Sequence, residues 1–238
     1  MSFNFGKTQA LNVRTHATLI GPDGADVVEK PSMVYLGGLL NADGRAEHEL
    51  SRRLGKAGAE FEALRRVWSR ASLSISKKIR IFDACVLSSL GYSLKTTWFG
   101  VAARRRMDGF HARCLRKILG IPHAYYSRVS NAEVLRRAGR QPFSTLLLEQ
   151  QLFFFGGIAS GDAGPIRDTM LVPGTLELVD SNAPRRCGRP RHTWAGEVLN
   201  RAVLAAGGAG NLQSILIDEP SLAKWRTVVR AHCRRQVS

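Results

Sequence analysis

Lysine and arginine are the residues in this sequence whose number and spacing point to a chemistry, and that chemistry is the binding of phosphate. The chain holds 35 Lys and Arg against 19 Asp and Glu, which gives a formal net charge of +16. In residues 63–132 fourteen side chains are basic and only Asp83 and Asp108 are acidic, so this segment carries about three quarters of the net charge. Such a concentration favours a binding face for a polyanion, with nucleic acid the first candidate and an anionic membrane surface the second.

The sequence lacks the acidic pair that metal-dependent phosphoryl transfer needs. Two-metal catalysis requires at least two carboxylates held at a fixed separation. No Asp-Asp or Asp-x-Asp occurs, and Asp23, Asp26 and Glu29 lie in a turn-rich stretch. There is also no P-loop and no Gly-x-Ser-x-Gly elbow. The sequence therefore predicts a binding protein with no visible active site, no metal or cofactor of its own and no small-molecule substrate.

Cysteine usage and hydropathy bear on the compartment. The four cysteines are far apart and form no Cys-x-x-Cys pair, a pattern that suggests reduced thiols. One metal knuckle can be drawn, from Cys187, His192, His232 and Cys233. Its halves are 39 residues apart, which is unlike the spacing of known zinc sites. With no signal-peptide pattern and no apolar run of roughly 18 residues, we expect an intracellular protein, cytoplasmic or nuclear, without a membrane partner.

From residue 46 onward, apolar residues recur at spacings of three and four, which predicts a series of amphipathic helices. We expect the first three over about 46–70, 74–90 and 101–119, with Ser74 or Ser76 capping the second. The third has Met107, Phe110, Cys114 and Ile118 on its inner face and ends at Gly120. Shorter and longer helices follow at 131–138 and 143–160, and two more at 193–206 and 220–235 with a glycine hinge between them. The predicted fold class is mainly α, a helical bundle with a C-terminal helical extension.

Basic residues lie opposite the apolar stripes of these helices. The third helix is the most basic, and six cations on one helix repel each other unless solvent or phosphate screens them. On the first helix, ion pairs such as Glu49–Arg53 make a solvated face an equally good interpretation. The predicted nucleic-acid contacts on the helices are Arg52, Arg53, Lys77, Lys78, Arg104, Arg105, Arg106, Arg113, Arg116 and Lys117.

The helix predicted at 143–160 is apolar almost all round, so it should be buried on several sides. We expect Leu147, Phe154 and Ile158 to close the core of the helical unit. The Phe153-Phe154-Phe155 triplet has a second interpretation, as a platform on which bases stack. Because no polar residues interleave with the three rings, the core interpretation is preferred.

The first 44 residues lack helical periodicity. Short strand-like runs occur at 10–13, 17–20 and 27–28, and another contains Val34, Leu36 and Leu39 before the turn sequence at 41–44. A small hairpin group of this kind cannot bury both of its faces alone. We therefore expect an N-terminal β unit that needs a partner sheet.

Residues 161–191 are rich in Gly, Pro and Arg and predict a linker, with one short strand at 176–179. Four arginines fall within residues 185–191, and Gly188-Arg189-Pro190 matches the centre of an AT-hook, which binds the minor groove. Arg186, Arg189 and Arg191 therefore join the predicted nucleic-acid contacts. The predicted domains are 1–44, 45–160, 161–191 and 192–238.

Six segments, in this order, resemble the C-terminal part of the reverse transcriptase of LINE-type non-LTR retrotransposons. Each is weak alone, but together they span nearly the whole chain and their order is specific. The segments are 4–11 (NFGKTQAL), 35–44 (YLGGLLNADG), 74–98 (SISKKIRIFDACVLSSLGYSLKTTW), 110–121 (FHARCLRKILGI), 130–139 (SNAEVLRRAG) and 187–194 (CGRPRHTW).

The resemblance implies roles for several residues. Lys7 is similar to the lysine that follows the polymerase active site and assists the departure of pyrophosphate. Tyr35, Leu36 and Gly37 look like the primer-gripping strand and turn that end the palm, and the helices of residues 46–119 are similar to the thumb, which follows primer and template backbones. The family's catalytic strand, with its aspartates and Mg²⁺, would lie upstream of Met1, so we expect that this chain does not polymerise alone.

The predicted function is therefore that of a nucleic-acid-binding fragment of a retroelement RNA-directed DNA polymerase. Two alternatives stay open. One is a non-enzymatic DNA- or RNA-binding module that uses the Gly-Arg-Pro segment. The other is an element remnant with no present function.

Overall fold

A computed structural model describes residues 8–13, 17–21, 24–70, 72–161, 164–179 and 193–235, and it is mainly helical. The predicted class, mainly α with a small N-terminal hairpin and C-terminal helices, is confirmed. The strands are β1 (Ser32–Tyr35) and β2 (Gly38–Asn41). The helices up to residue 138 are α1 (Glu47–Ala63), α2 (Arg65–Ser69), α3 (Ile75–Phe82), α4 (Ser88–Gly91), α5 (Val101–Leu119), α6 (Ala124–Ser127) and α7 (Asn131–Ala138).

The C-terminal half continues with five more described helices. In addition, a π-helical turn, Asp83–Leu87, joins α3 to α4 in the N-terminal half, and a second one, Ser214–Asp218, follows α11. The helices are α8 (Phe143–Ala159), α9 (Pro165–Asp168), α10 (Trp194–Ala206), α11 (Ala209–Gln213) and α12 (Leu222–Arg235).

Local signals place the helix ends where the sequence predicts them. The Ser74 hydroxyl accepts a hydrogen bond from the main-chain N–H of Lys77 and so caps α3. Helix α5 ends at Gly120, whose φ of +67° is the left-handed conformation that glycine adopts most readily. The predicted inner face of α5 is confirmed: Met107, Phe110, Cys114 and Ile118 are all buried.

The helix predicted at 46–70 is in fact two helices, because the chain breaks at Leu64. The break turns α2 back onto α1, so that the Trp68 indole N–H donates to the carbonyl of Phe61 at 2.8 Å. The two rings stack with centres 5.1 Å apart. This contact satisfies a buried N–H and gives aromatic packing that a straight helix would lose.

The strand-like run predicted around Val34 and Leu36 is a hairpin. Strands β1 and β2 pair antiparallel, and Leu36 and Gly37 form the two-residue turn between them. Both turn residues have positive φ, +46° and +77°, which matches the right-handed twist of hairpin strands. A leucine in this conformation is unusual, and the contacts that hold it are described below.

The remaining predicted strands are wrong. The runs at 10–13, 17–20 and 27–28 contribute only isolated bridges, Ala10 with Glu29 and Ile20 with Asp26. Residues 176–179 form no strand and make one bridge, Leu171 with Leu178. Short apolar runs between turn residues resemble strands in sequence, but within the described ranges no neighbouring strand supplies a ladder.

Two clusters of buried apolar residues make up the core, and α8 contributes to both. The first contains residues from Leu50 to Leu147, and the second residues from Leu148 to Cys233. Leu147 is buried as predicted, whereas Phe154 and Ile158 are only partly buried. Leu152 and Phe155 are fully buried instead, because α12 packs against that side of α8.

Candidate nucleic-acid interface

Helices α1 and α5 lie side by side and run in the same direction. Arg106 donates to the Ser51 hydroxyl at 3.1 Å, and the Lys117 amine donates to the Glu62 carboxylate at 2.5 Å. Between these contacts Gly58 faces the Phe110 ring, which is 3.9 Å from the place of an added β-carbon. The three contacts follow the same order along both helices, so the helices are parallel over about three turns.

A row of cations faces solvent on the outer side of this helix pair. The exposed arginines of α5 are Arg105, Arg106 and Arg113, and they make no ion pair with any described residue. Lys117 pairs with Glu62. The one acid of α5, Asp108, points to α8 instead and accepts hydrogen bonds from the Ser144 N–H and hydroxyl at 2.8 and 2.7 Å. We define the α1/α5 face as Ser51, Gly55, Arg105, Arg106, Gly109, Arg113 and Lys117.

Two glycines in the middle of these helices have no packing explanation. An added β-carbon at Gly55 or Gly109 would meet nothing within 4 Å. Glycine inside a helix costs about 1 kcal/mol relative to alanine. Glycine does allow the close approach of another backbone or a ligand, and on a face lined with arginines that ligand would be an anion.

The structure removes Arg53 from the predicted contacts, because it is buried and holds the hairpin turn. Its guanidinium pairs with Glu49 at 2.6 Å, donates to the carbonyl of Gly37 and lies 4.5 Å from the centre of the Tyr92 ring. Arg52 shares both acceptors, with Nη2 2.6 Å from the Gly37 oxygen, and its side chain is only 31% exposed. Both arginines therefore attach the hairpin to α1.

Glu49 is the acceptor at the centre of this cluster. It also accepts from the Ser93 hydroxyl at 2.9 Å and from the Leu39 N–H at 3.0 Å. Burial acts to raise the pKa of this carboxyl, but the hydrogen bonds from Arg52, Arg53 and Ser93 outweigh burial and hold the pKa below its usual value. Glu49 is therefore ionised in the folded chain at neutral pH.

Two more predicted contacts are buried. The Lys78 amine donates to the carbonyl of Trp68 at 2.7 Å, which ties α3 to the end of α2. Arg116 donates to the carbonyl of Val129 at 2.5 Å and to Asn131 at 3.1 Å. Periodicity placed both residues on outer faces, but the groups that accept their hydrogen bonds lie ten or more residues away in the sequence.

The other predicted residues of the helices differ in exposure. Lys77 is exposed at the start of α3. Arg104 is about half covered: its Nε donates to the carbonyl of Phe99 at 3.0 Å, and its Cζ lies 4.3 Å from the centre of the Trp98 ring. At the hairpin tip Tyr35 and Leu36 are 62% and 78% exposed, so the tip that resembles a primer grip faces solvent.

Four predicted residues cannot be placed. Lys7, Arg186, Arg189 and Arg191 lie outside the described residues, as do Cys187 and His192 of the metal knuckle. Within the described ranges, no three His, Cys, Asp or Glu side chains gather where they would hold a metal ion.

Sequence reasoning missed His111 on α5. The ring is fully buried between Phe82, with ring centres 5.7 Å apart, and Phe143, at 6.5 Å. Neither ring nitrogen has a hydrogen-bond partner among the described residues. Burial, with a smaller contribution from the charge of Arg140, lowers the pKa of His111 to about 4. His111 follows Met107 by four residues and precedes Cys114 by three, so it lies on the apolar stripe of α5, and only this spacing could have revealed its burial.

No protein-family model, no curated protein and no solved structure matches this chain. Over the part of the chain that the structure describes, no helix has both the length and the apolar character that crossing a membrane requires.

Proposed function

We propose that this chain binds the sugar–phosphate backbone of a nucleic acid through the α1/α5 face. The observation that carries the proposal is the row of solvent-facing arginines on α5, which have no carboxylate partners among the described residues. Guanidinium groups in such a row repel each other in the free protein, and phosphates relieve that repulsion and release their counterions.

The form of the face suits backbone contact. Arg105, Gly109 and Arg113 follow one another at intervals of four along α5, so a surface without side chains lies between two guanidinium groups. A phosphate can approach the helix there while both arginines reach it from the sides. Cations of this kind position a duplex without reading its sequence.

We further propose that the chain is the post-catalytic part of a retroelement RNA-directed DNA polymerase. The six ordered sequence segments support this. So does the attachment of the exposed hairpin tip to α1 through Arg53, because a primer-gripping turn and a thumb have to hold the same primer together. Alone, the chain is expected to extend no primer.

The binding proposal is tested by the salt dependence of affinity for an RNA–DNA hybrid, measured by fluorescence anisotropy. Arg105→Ala and Arg113→Ala should each weaken binding and lower the slope of log K against log salt by about 1. Arg137→Ala is the matched control, since Arg137 is an exposed helix arginine that pairs with Glu133 at 2.7 Å. Equal losses in all three variants, or no binding at low salt, would overturn the proposal.

The polymerase relationship has its own test. The purified chain, given a primed RNA template, dNTPs and Mg²⁺, should extend nothing, and robust extension would contradict it. Reading the coding sequence upstream of Met1 in all frames is a second test, in which a Tyr/Phe-x-Asp-Asp strand is the expected finding.

A further inference from the structure

A second group of aromatic and basic side chains, separate from the α1/α5 face, lies where the chain before α5 meets α8 and α10. The rings of Phe154 and Trp194 have centres 5.8 Å apart and are tilted by 60°. The Trp194 indole N–H donates to the carbonyl of Lys95 at 2.8 Å and so fixes the position of the ring. Both rings are only partly buried, although α8 passes through the core.

Cations lie over the faces of these rings. The Lys95 amine is 4.8 Å from the centre of the Phe154 ring, and the Arg104 guanidinium is 4.3 Å from the centre of the Trp98 ring. Trp98 is also partly exposed. Partly exposed rings beside cations form the kind of surface on which unpaired bases stack while phosphates lie near the charges.

The charge around Arg104 favours an anionic ligand. Burial, and next the positive charge of Arg201, lower the pKa of Arg104, while Glu197 and Asp108 act in the opposite direction. A guanidinium that is partly desolvated beside another one is unfavourable without a counter-charge. Phosphate groups would supply that charge beyond what the two carboxylates give.

The three consecutive phenylalanines of α8 differ in burial. Phe155 is fully buried in the second core cluster. Phe154 points to the partly exposed group and contacts Trp194 and Lys95. The core interpretation therefore accounts for Phe155 and leaves Phe154 for another role.

We propose that Trp98, Phe154 and Trp194, with Lys95 and Arg104, bind unpaired nucleotides of a single-stranded nucleic acid by stacking. This inference rests on the proposed function, because it adds a substrate class and a second site to a nucleic-acid-binding chain. Bases in a duplex are already stacked on each other, so the site selects single strands.

The test compares three ligands: a single-stranded RNA, an abasic strand of the same length and an RNA–DNA hybrid. The strand with bases should bind at least about five-fold more tightly than the abasic strand, as stacking on aromatic rings predicts. Phe154→Leu should abolish this difference. Arg104→Lys should reduce it, because lysine keeps the charge but loses the planar group. Arg137→Lys is the matched control, because Arg137 is an exposed helix arginine outside both proposed sites, and it should leave the difference unchanged.

The outcomes separate the two proposals. Equal affinity for the base-containing and abasic strands, with normal hybrid binding, would overturn the stacking site and leave the proposed function intact. If the chain binds the single strand but not the hybrid, the proposed role of the α1/α5 face is overturned and the stacking site is retained. In case Phe154→Leu fails to fold, photo-crosslinking of wild-type protein to an iodouridine-labelled strand decides: crosslinks at Trp98, Phe154 or Trp194 support the site, and crosslinks only elsewhere overturn it.

Discussion

Arg53 of helix α1 donates a hydrogen bond to the main-chain carbonyl of Gly37, sixteen residues earlier at the hairpin turn. From the other side, the Tyr92 hydroxyl donates to the carbonyl of Leu36 at 2.8 Å. The two carbonyls of the turn are thus held by Arg53, Arg52 and Tyr92, and the Arg53 guanidinium lies over the Tyr92 ring. This clamp explains how a leucine keeps positive φ in a two-residue turn.

Removal of Arg53 should cost much more stability than removal of its neighbour. In Arg53→Met the buried carboxylate of Glu49 loses one of its two charged partners. We therefore expect the free energy of unfolding to fall by about 3 kcal/mol. Arg52→Met is the control, because Arg52 is partly exposed and should cost about 1 kcal/mol or less. Urea denaturation followed by circular dichroism measures both. Equal losses would show that the clamp does not depend on the buried guanidinium.

His111 should make the chain less stable as the pH falls. Its pKa is about 4 in the folded chain against 6.5 as the reference value, so the folded chain disfavours the protonated ring. The resulting contribution to the free energy of unfolding is complete above about pH 6.5 and is lost as the pH falls toward 4. Between about pH 7.5 and pH 5 we expect the free energy of unfolding to fall by about 2 kcal/mol from this group.

The matching variant is His111→Leu, which also removes two unpaired ring nitrogens. Urea titrations at both pH values should show a smaller pH dependence in this variant, by the amount assigned to His111. At pH 7.5 it should be as stable as the wild type or more so. A wild-type slope that persists in His111→Leu would assign the pH dependence to other groups.

Gly156 and Gly157 are neighbours on α8 that should respond in opposite ways to alanine. The Trp225 ring occupies the space where a β-carbon of Gly156 would stand, and its indole N–H donates to the carbonyl of Leu152 at 2.8 Å. Gly156→Ala should therefore displace Trp225 and cost about 3 kcal/mol. At Gly157 nothing lies within 4 Å, so alanine should stabilise the helix by up to about 1 kcal/mol. Thermal melts of both variants would show shifts of opposite sign, and shifts of the same sign would mean that α12 does not pack on α8 as described.

Substituting the two glycines of the α1/α5 face should change stability and binding in opposite directions. Gly55→Ala and Gly109→Ala should each raise the free energy of unfolding by about 1 kcal/mol, because both positions are open and helical. Affinity for an RNA–DNA hybrid should nevertheless fall, since the β-carbon keeps a phosphate away from the helix. Gly157→Ala serves again as control, with higher stability and unchanged affinity. If affinity also stays unchanged in the first two variants, close backbone approach is not the reason for these glycines.

Patterns within a few residues predicted the helices well. The four buried residues of the α5 stripe, the Ser74 cap and the Gly120 end depend on contacts one turn apart, so the order of residues alone determines them. An N-terminal β unit was expected, and the predicted turn at 41–44 does follow β2, but residue patterns did not predict a hairpin turn at Leu36 and Gly37. The turn depends on Arg53 and Tyr92, which periodicity in the first 44 residues cannot reveal.

The sequence by itself determined the fold class, most helix boundaries and the excess of positive charge, because composition and a period of 3.6 residues are local properties. Only the tertiary structure decided which cations remain available to a ligand. Arg53, Lys78 and Arg116 carry the same charge as Arg105 and Arg113, but carbonyls and side chains from other segments bury them. A buried charge has to be paired or hydrogen-bonded. The carbonyls of Gly37, Trp68 and Val129, which accept from these three groups, lie ten or more residues away in the sequence, where no local pattern identifies them.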